Sequence, residues 1–259
     1  MTWTTRPRSD IGGLAAIDEG EGPLVVLLHG VGLRAEAWGA QIDALSAAGY
    51  RVLCPDMPGH GKTQFQGAMG LDGYANPIAA RLTEPAVLIG HSMGALIALE
   101  IAASGHDQVR GVAALNAIYR RTPEARAAVT TRAAALDAAA MNDHTVTLQR
   151  WFGDQVSEEG KACSRWLKDV DPGAYKAAYT VFAESDGPTE AQLGQIKCPA
   201  LFMTGADEPN STPGMSQGMA EQVTNGRVEI IPNAAHMMPM THPADVNANL
   251  LEFVRRCLP

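Results

Sequence analysis

Ten consecutive residues constrain this chain more than any others: Val87-Leu88-Ile89-Gly90-His91-Ser92-Met93-Gly94-Ala95-Leu96. An apolar run of β type ends in Gly-x-Ser-x-Gly and passes at once into helix formers, Ala95 to Ala103. Strand, sharp turn and helix in that order are the setting of a nucleophile elbow. Such a turn leaves no room for a side chain at Gly90 or Gly94. It lifts Ser92 Oγ above the sheet. It also aims the free N–H groups of the new helix at the reacting atoms, where the backbone dipole favours developing negative charge.

The same alternation runs through much of the chain. Pro23 to Leu28, Arg51 to Cys54, Ala86 to Ile89, Val109 to Leu115, Ala200 to Met203 and Val228 to Ile231 are short β-type runs separated by helix-like segments. Continuous apolar strands between helices predict an α/β fold whose mostly parallel central sheet is covered on both faces. Trp3 to Arg6 and Leu14 to Ile17 are expected to add edge strands. Sites in such sheets lie beyond the carboxyl ends of the strands. From Ala117 to Gln195 the alternation stops, and the segment is rich in Ala, Arg and Glu at helical spacing. Helices are expected over Pro123–Ala140, Thr145–Phe152, Glu158–Val170 and Tyr175–Glu184. The reading is a core of residues 1–116 and 196–259 with a helical cap, 117–195, inserted over the site.

Composition narrows the function classes. The chain has 259 residues, 46% of them apolar, and a net charge of −8. That is ample for one buried core, and the acidity argues against a nucleic-acid partner. An anionic substrate would need a local basic group. No apolar run approaches the ~20 residues of a membrane span. Met1 to Asp10 is polar and lacks the apolar stretch of a secretory signal, so a cytoplasmic setting is expected. Cys54, Cys163, Cys198 and Cys257 are widely spaced and read as free thiols in a reducing compartment. No His/Cys/Asp/Glu cluster has metal spacing, and no glycine pattern is a dinucleotide fingerprint. Neither metal nor cofactor is expected. Self-association into a homo-oligomer is left open.

A serine hydroxyl needs an adjacent base. His236, in Asn233-Ala234-Ala235-His236-Met237 just after a strand, is the candidate; His242, ahead of the last helix, is its competitor. The base needs an acid to orient it and stabilise its cation. Asp207 closes Leu201-Phe202-Met203-Thr204-Gly205-Ala206-Asp207 directly after a strand and is the expected partner. Glu208 beside it would then point elsewhere. An acid one strand earlier is excluded because that strand ends in Asn116. An oxyanion needs two N–H donors, each worth ~3 kcal/mol of barrier. Met93, after the nucleophile, and Val31, in the loop His29-Gly30-Val31-Gly32, are the expected backbone donors.

Taken together, HGVG at 29–32, DMPGHGKT at 56–63, GHSMG at 90–94, GAD at 205–207 and NAAHM at 233–237 resemble the α/β-hydrolase fold over most of the chain. Arg150-Trp151-Phe152 and Asp171-Pro172-Gly173-Ala174-Tyr175 are similar to the cap of the small-cap enzymes that include 3-oxoadipate enol-lactonases. The resemblance implies a Ser92–His236–Asp207 triad acting through an acyl-enzyme on a small carboxylic ester or enol-lactone. Three alternatives stay open: C–C bond hydrolysis of a dienoate-type diketone, a non-catalytic ligand-binding protein on the same scaffold, and cofactor-free oxygen chemistry, which uses the same fold and a histidine. If the substrate is a carboxylate, Arg120, Arg121 and Arg150 are candidate cations. Trp151, Tyr119 and Met237 are candidate pocket groups, with Trp38, Trp166, Phe182 and Met238 further candidates that core packing also explains. Between Lys62-Thr63 and the elbow strand only Gly73 to Leu82 is available for a helix, with Pro77 inside it.

Overall fold

The computed structural model describes residues 3–67, 70–154 and 156–258. In chain order the elements are β1 (Ser9–Asp10), β2 (Ala15–Glu19), β3 (Leu24–Leu28), a 3₁₀ turn (Ala35–Trp38), α1 (Gly39–Ala47), β4 (Arg51–Pro55), α2 (Leu71–Ala79), β5 (Ala86–His91), α3 (Met93–Ala103) and β6 (Val109–Leu115). There follow α4 (Pro123–Ala135), α5 (Thr145–Phe152), α6 (Glu158–Asp169), α7 (Pro172–Glu184) and α8 (Glu190–Gln195). The chain closes with β7 (Ala200–Gly205), α9 (Pro213–Ala220), β8 (Gly226–Ile231), α10 (Met238–Thr241) and α11 (Pro243–Cys257).

The strands form one eight-stranded sheet in the order β1-β2-β4-β3-β5-β6-β7-β8. The two N-terminal strands pair antiparallel and all others parallel. The two-residue period of a strand sorts its side chains between two cores. Val25, Leu27, Val87, Ile89, Leu201 and Met203 pack with Trp38, Ile42 and Leu45 and with Leu250 and Phe253, placing α1 and α11 on that face. Leu24, Val26, Leu28, Leu88 and Phe202 point the other way, against Tyr74, Ile78, Leu96, Leu99 and Met219 of α2, α3 and α9. Strands buried on both faces lose the polar alternation of an exposed sheet, so their sequences read as continuous apolar runs.

Three expectations are corrected. Trp3–Arg6 is not a strand. Trp3 packs instead with Leu33, Ala37 and Trp166, and Arg6 is drawn off by Glu19 and Asp43, each at 2.7 Å. The alanine-rich helix stops at Ala135 rather than Ala140. Beyond it the Asn142 side chain accepts from Asp137 N–H, and the Asp137 side chain accepts from Ala139 N–H; such local bonds compete with helix. The helix after β4 starts earlier than expected, at Leu71, and tolerates Pro77 because Tyr74, Ala75 and Ile78 are buried in the core beneath it.

Between β6 and β7 the described residues form helices joined by loops and contain no strand. α4 packs on α7 and α5 on α6, above the carboxyl end of the sheet, whereas α8 returns to lie on α3. α5 fully buries none of its side chains.

Candidate active site

The turn between β5 and α3 holds Ser92 at φ 58°, ψ −119°, a conformation that L side chains rarely adopt. The glycines around it are dictated by contact. A Cβ on Gly90 would lie 2.1 Å from the Gly94 carbonyl oxygen, and one on Gly94 would lie 2.1 Å from the Leu28 oxygen. Ser92 N–H donates to Leu115 O at 2.9 Å, fastening the turn to the neighbouring strand. Among the described residues the Ser92 hydroxyl makes no side-chain hydrogen bond, and the residue lines an open cavity.

His236 lines the same cavity from the loop after β8. Its Nδ1 lies 3.0 Å from Glu208 Oε2, and the Glu208 side chain is fully shielded from solvent. The second oxygen, Oε1, accepts from Asn210 N–H at 2.7 Å and from Ser211 N–H at 3.2 Å. Burial pushes the Glu208 carboxyl up. The charge and hydrogen bond of His236, with the two backbone donors, outweigh it and bring the group down to about 2. A carboxylate ionised at neutral pH can only accept, so Nδ1 carries the imidazole proton and Nε2 offers its lone pair.

The expected acid was Asp207, and the geometry corrects it. Asp207 is exposed and makes no contact with His236. Its backbone N–H is taken by Ala234 O at 2.9 Å, and Ala206 N–H by Ile231 O, so the chain beyond β7 is sewn to the loop that carries His236. This fixes Asp207 on the outer side of the turn. The next residue, one methylene longer, folds back beneath the imidazole.

Beside the serine, Gly30 approaches so closely that a Cβ there would lie 3.1 Å from Ser92 Cβ. Val31 follows it in the cavity wall. The loop is anchored by buried His29, whose Nε2 accepts from Met57 N–H at 3.0 Å. The Val31 and Met93 N–H groups have no backbone acceptor among the described residues.

The cavity encloses about 420 Å³. Three of the overhanging helices give it one stripe each at helical spacing: Ala125, Ala128, Val129 and Arg132 from α4, Thr147, Arg150 and Trp151 from α5, and Tyr175, Tyr179 and Phe182 from α7. Trp151 stacks on the His236 ring, centroids 5.9 Å apart and 19° from parallel. Arg121, Arg132 and Arg150 line the wall, and among the described residues no aspartate or glutamate does. Buried Arg121 sits over the Phe182 ring. It donates to the Phe182, Ala183 and Ser185 carbonyls at the end of α7. Burial lowers it to about 10, so it stays cationic. Arg132 Nε donates to Tyr179 Oη at 3.2 Å. Among the described residues Arg150 has neither a hydrogen bond nor an ion pair with the protein.

Of the substrate residues expected from sequence, Trp151 and Arg150 reach this cavity, and so do Arg121 and Phe182. Three do not. Arg120, in a left-handed turn at φ 52°, faces solvent and pairs with Glu190. Tyr119 is buried against Gly218. Met237 packs with Trp3, Leu33, Trp166 and Met240. Arg132, Tyr175 and Tyr179 were missed, although their spacing along α4 and α7 carries the stripe pattern. Glu208 had no such signal, because periodicity ends where the strand ends.

No helix among the described residues is long and apolar enough to cross a membrane. No group of three or more His, Cys, Asp or Glu side chains among them could hold a metal ion.

A mostly parallel sheet whose central strand ends in a strained Gly-x-Ser-x-Gly turn defines an α/β hydrolase. Residues 25–249 match the model of the alpha/beta hydrolase family, and the chain belongs to it. The (E)-2-((N-methylformamido)methylene)succinate hydrolase of Acinetobacter baylyi is 40% identical over 237 residues, 89% of each chain. A pimeloyl-[acyl-carrier protein] methyl ester esterase of Chromobacterium violaceum is 29% identical, covering 90% of this chain and 94% of its own. Among solved structures, the enol-lactonase of Burkholderia xenovorans superposes with a TM-score of 0.80 at 21% identity, over 96% of this chain and all of its own. The protein is a hydrolase of this family.

Proposed function

We propose that this protein is a serine hydrolase of small carboxylate-bearing substrates, with Ser92 as nucleophile, His236 as base and Glu208 as the orienting acid. One observation carries the reading. A histidine hydrogen-bonded to a buried carboxylate shares a cavity with a strained serine and three arginines, and among the described residues no acid lines that cavity. In a chain of net charge −8, a cationic pocket selects for an anion.

His236 Nε2 takes the Ser92 proton as Oγ attacks the acyl carbon. The Val31 and Met93 N–H groups receive the oxyanion. As the tetrahedral adduct collapses, the proton passes to the leaving group. Water, deprotonated by His236, then attacks the acyl-enzyme, releases the acid and returns the proton to Ser92. The helices α4, α5 and α7 act as the cap that shapes the acyl pocket, with α6 packed behind α5. The favoured scissile bond is a carboxylic ester or enol-lactone. A second reading, cleavage of an N-acyl bond, is supported by the relative from A. baylyi, whose name specifies a formamido-substituted succinate.

Matched short aryl esters with and without a terminal carboxylate, an enol-lactone acid and an N-acylaminomethylene dicarboxylate test the reading together. The charged member of each pair is expected to show the higher kcat/KM, and Ser92→Ala to lose turnover while keeping its fold. Activity retained in Ser92→Ala would sink the proposal. The faster of the ester and N-acyl substrates decides between the two bonds.

A further inference from the structure

The loop that carries His236 and the turn that carries Ser92 are separated by two strands of the sheet, β6 and β7. Catalysis between them requires a fixed separation. Among the described residues, one hydrogen bond joins residues 232–237 to β5 or α3: His91 Nε2 to the His236 carbonyl oxygen, at 2.7 Å. A carbonyl only accepts, so Nε2 carries the proton. The His91 ring is buried. The Trp38 ring meets it edge-on, centroids 6.3 Å apart, and the His236 ring lies 4.9 Å from it. A ring held on both sides and bonded at its tip is a strut of fixed length. Ser92 is the next residue in the chain, so the strut measures directly from the nucleophile to the backbone of the base.

We propose that His91 is a positioning residue, setting through its Nε2–H bond the placement of the His236 imidazole relative to Ser92 Oγ. The inference rests on His236 serving as the base. Its alternative is a buried histidine that only fills space, and the two differ in what the donor does. Loss of the strut lets the base drift, and a displacement of about 1 Å in such a site costs on the order of a hundredfold in rate. His91 itself reaches the cavity wall beside Ser92, but the arginines and the aromatic stripes that would hold the substrate come from other elements and are left in place.

The test compares His91→Leu, which removes the donor, His91→Asn, whose amide is too short, and His91→Gln, whose amide N–H reaches nearly as far as Nε2. The readouts are steady-state turnover of a short aryl ester and the rate of fluorophosphonate labelling at Ser92. His91→Leu and His91→Asn are expected to lose roughly 10- to 100-fold in kcat and in labelling rate, with a smaller change in KM. His91→Gln should recover most of that loss. A folded Leu or Asn variant within about twofold of wild-type kcat, or a Gln variant no better than Asn, overturns the proposal. If the variants do not fold, histidine ¹⁵N NMR of the wild-type protein decides: an Nε2–H tautomer at His91 supports the strut, and an Nδ1–H tautomer refutes it. His236→Gln separates the two claims. Activity retained there removes the base assignment itself; activity lost there, with His91→Leu unaffected, removes only the strut.

Discussion

Glu208 Oε2 lies 3.0 Å from His236 Nδ1, and the other Glu208 oxygen is held by two backbone N–H groups of the following turn. The carboxylate therefore has no freedom to leave the imidazole without abandoning bonds that fold its own loop. The same bonds keep it ionised, which fixes the tautomer in which Nε2 is the proton acceptor.

Glu208→Gln should lower kcat by roughly 10²- to 10⁴-fold, because an amide can donate to Nδ1 and stabilise the wrong tautomer. Asp207→Asn, one residue away, should leave kcat within about twofold, since an exposed side chain holds nothing. Steady-state kinetics on the two variants gives a direct comparison. The reverse ranking would restore Asp207 as the acid.

Arg150→Met and Arg132→Met should raise KM for a carboxylate-bearing ester by roughly 10-fold or more each, while KM for its neutral counterpart changes little. Both side chains line the cavity without a carboxylate partner. Equal effects on charged and neutral esters would show that the arginines serve packing alone.

Stability should fall as the pH drops in two stages. Burial, with a neighbouring histidine, brings His60 and His91 down from 6.5 to about 3. The unfolded chain therefore takes up protons first, and stability declines from about 6.5 downward. Glu208 is depressed from 4.5 to about 2, so its contribution is complete above 4.5 and is lost as the pH falls through about 2. Urea midpoints measured across this range should show His60→Asn flattening the upper stage and Glu208→Gln the lower. A wild-type midpoint that stays constant from neutrality to 4.5 would contradict the histidine assignment.

Arg8→Ala should destabilise the fold by about 3–5 kcal/mol. Arg8 is buried between Glu36 at 2.6 Å and Asp56 at 2.8 Å, and both acids are almost wholly enclosed. Removing the cation leaves Glu36 with Arg34 as its ion-pair partner, at 3.2 Å, and leaves enclosed Asp56 with only the backbone N–H groups of Ala35 and Lys62. A denaturant midpoint shifted by less than 1 kcal/mol equivalent, roughly the level of an exposed pair, would show that solvent already screens the pair.

Much of this protein was written in the chain itself. The β-type runs at 23–28, 51–54, 86–89, 109–115, 200–203 and 228–231 all correspond to strands of one sheet, and those at its centre, such as Leu24–Leu28 and Ala86–His91, are buried throughout, as continuous apolar residues between helices require. Gly90 and Gly94 had to be glycines because a backbone oxygen stands 2.1 Å from where each Cβ would be. Ser92 and His236 could be picked out because they occupy strand ends of one sheet. The tertiary structure alone decided between Asp207 and Glu208, since both lie past the end of β7, where no periodicity assigns a direction and the Asp207 N–H bond to Ala234 O sets it. It alone also sent Arg120 to solvent and Arg132 and Arg150 to the cavity. A helix fixes which of its side chains share a face, but only packing against other helices fixes where that face looks.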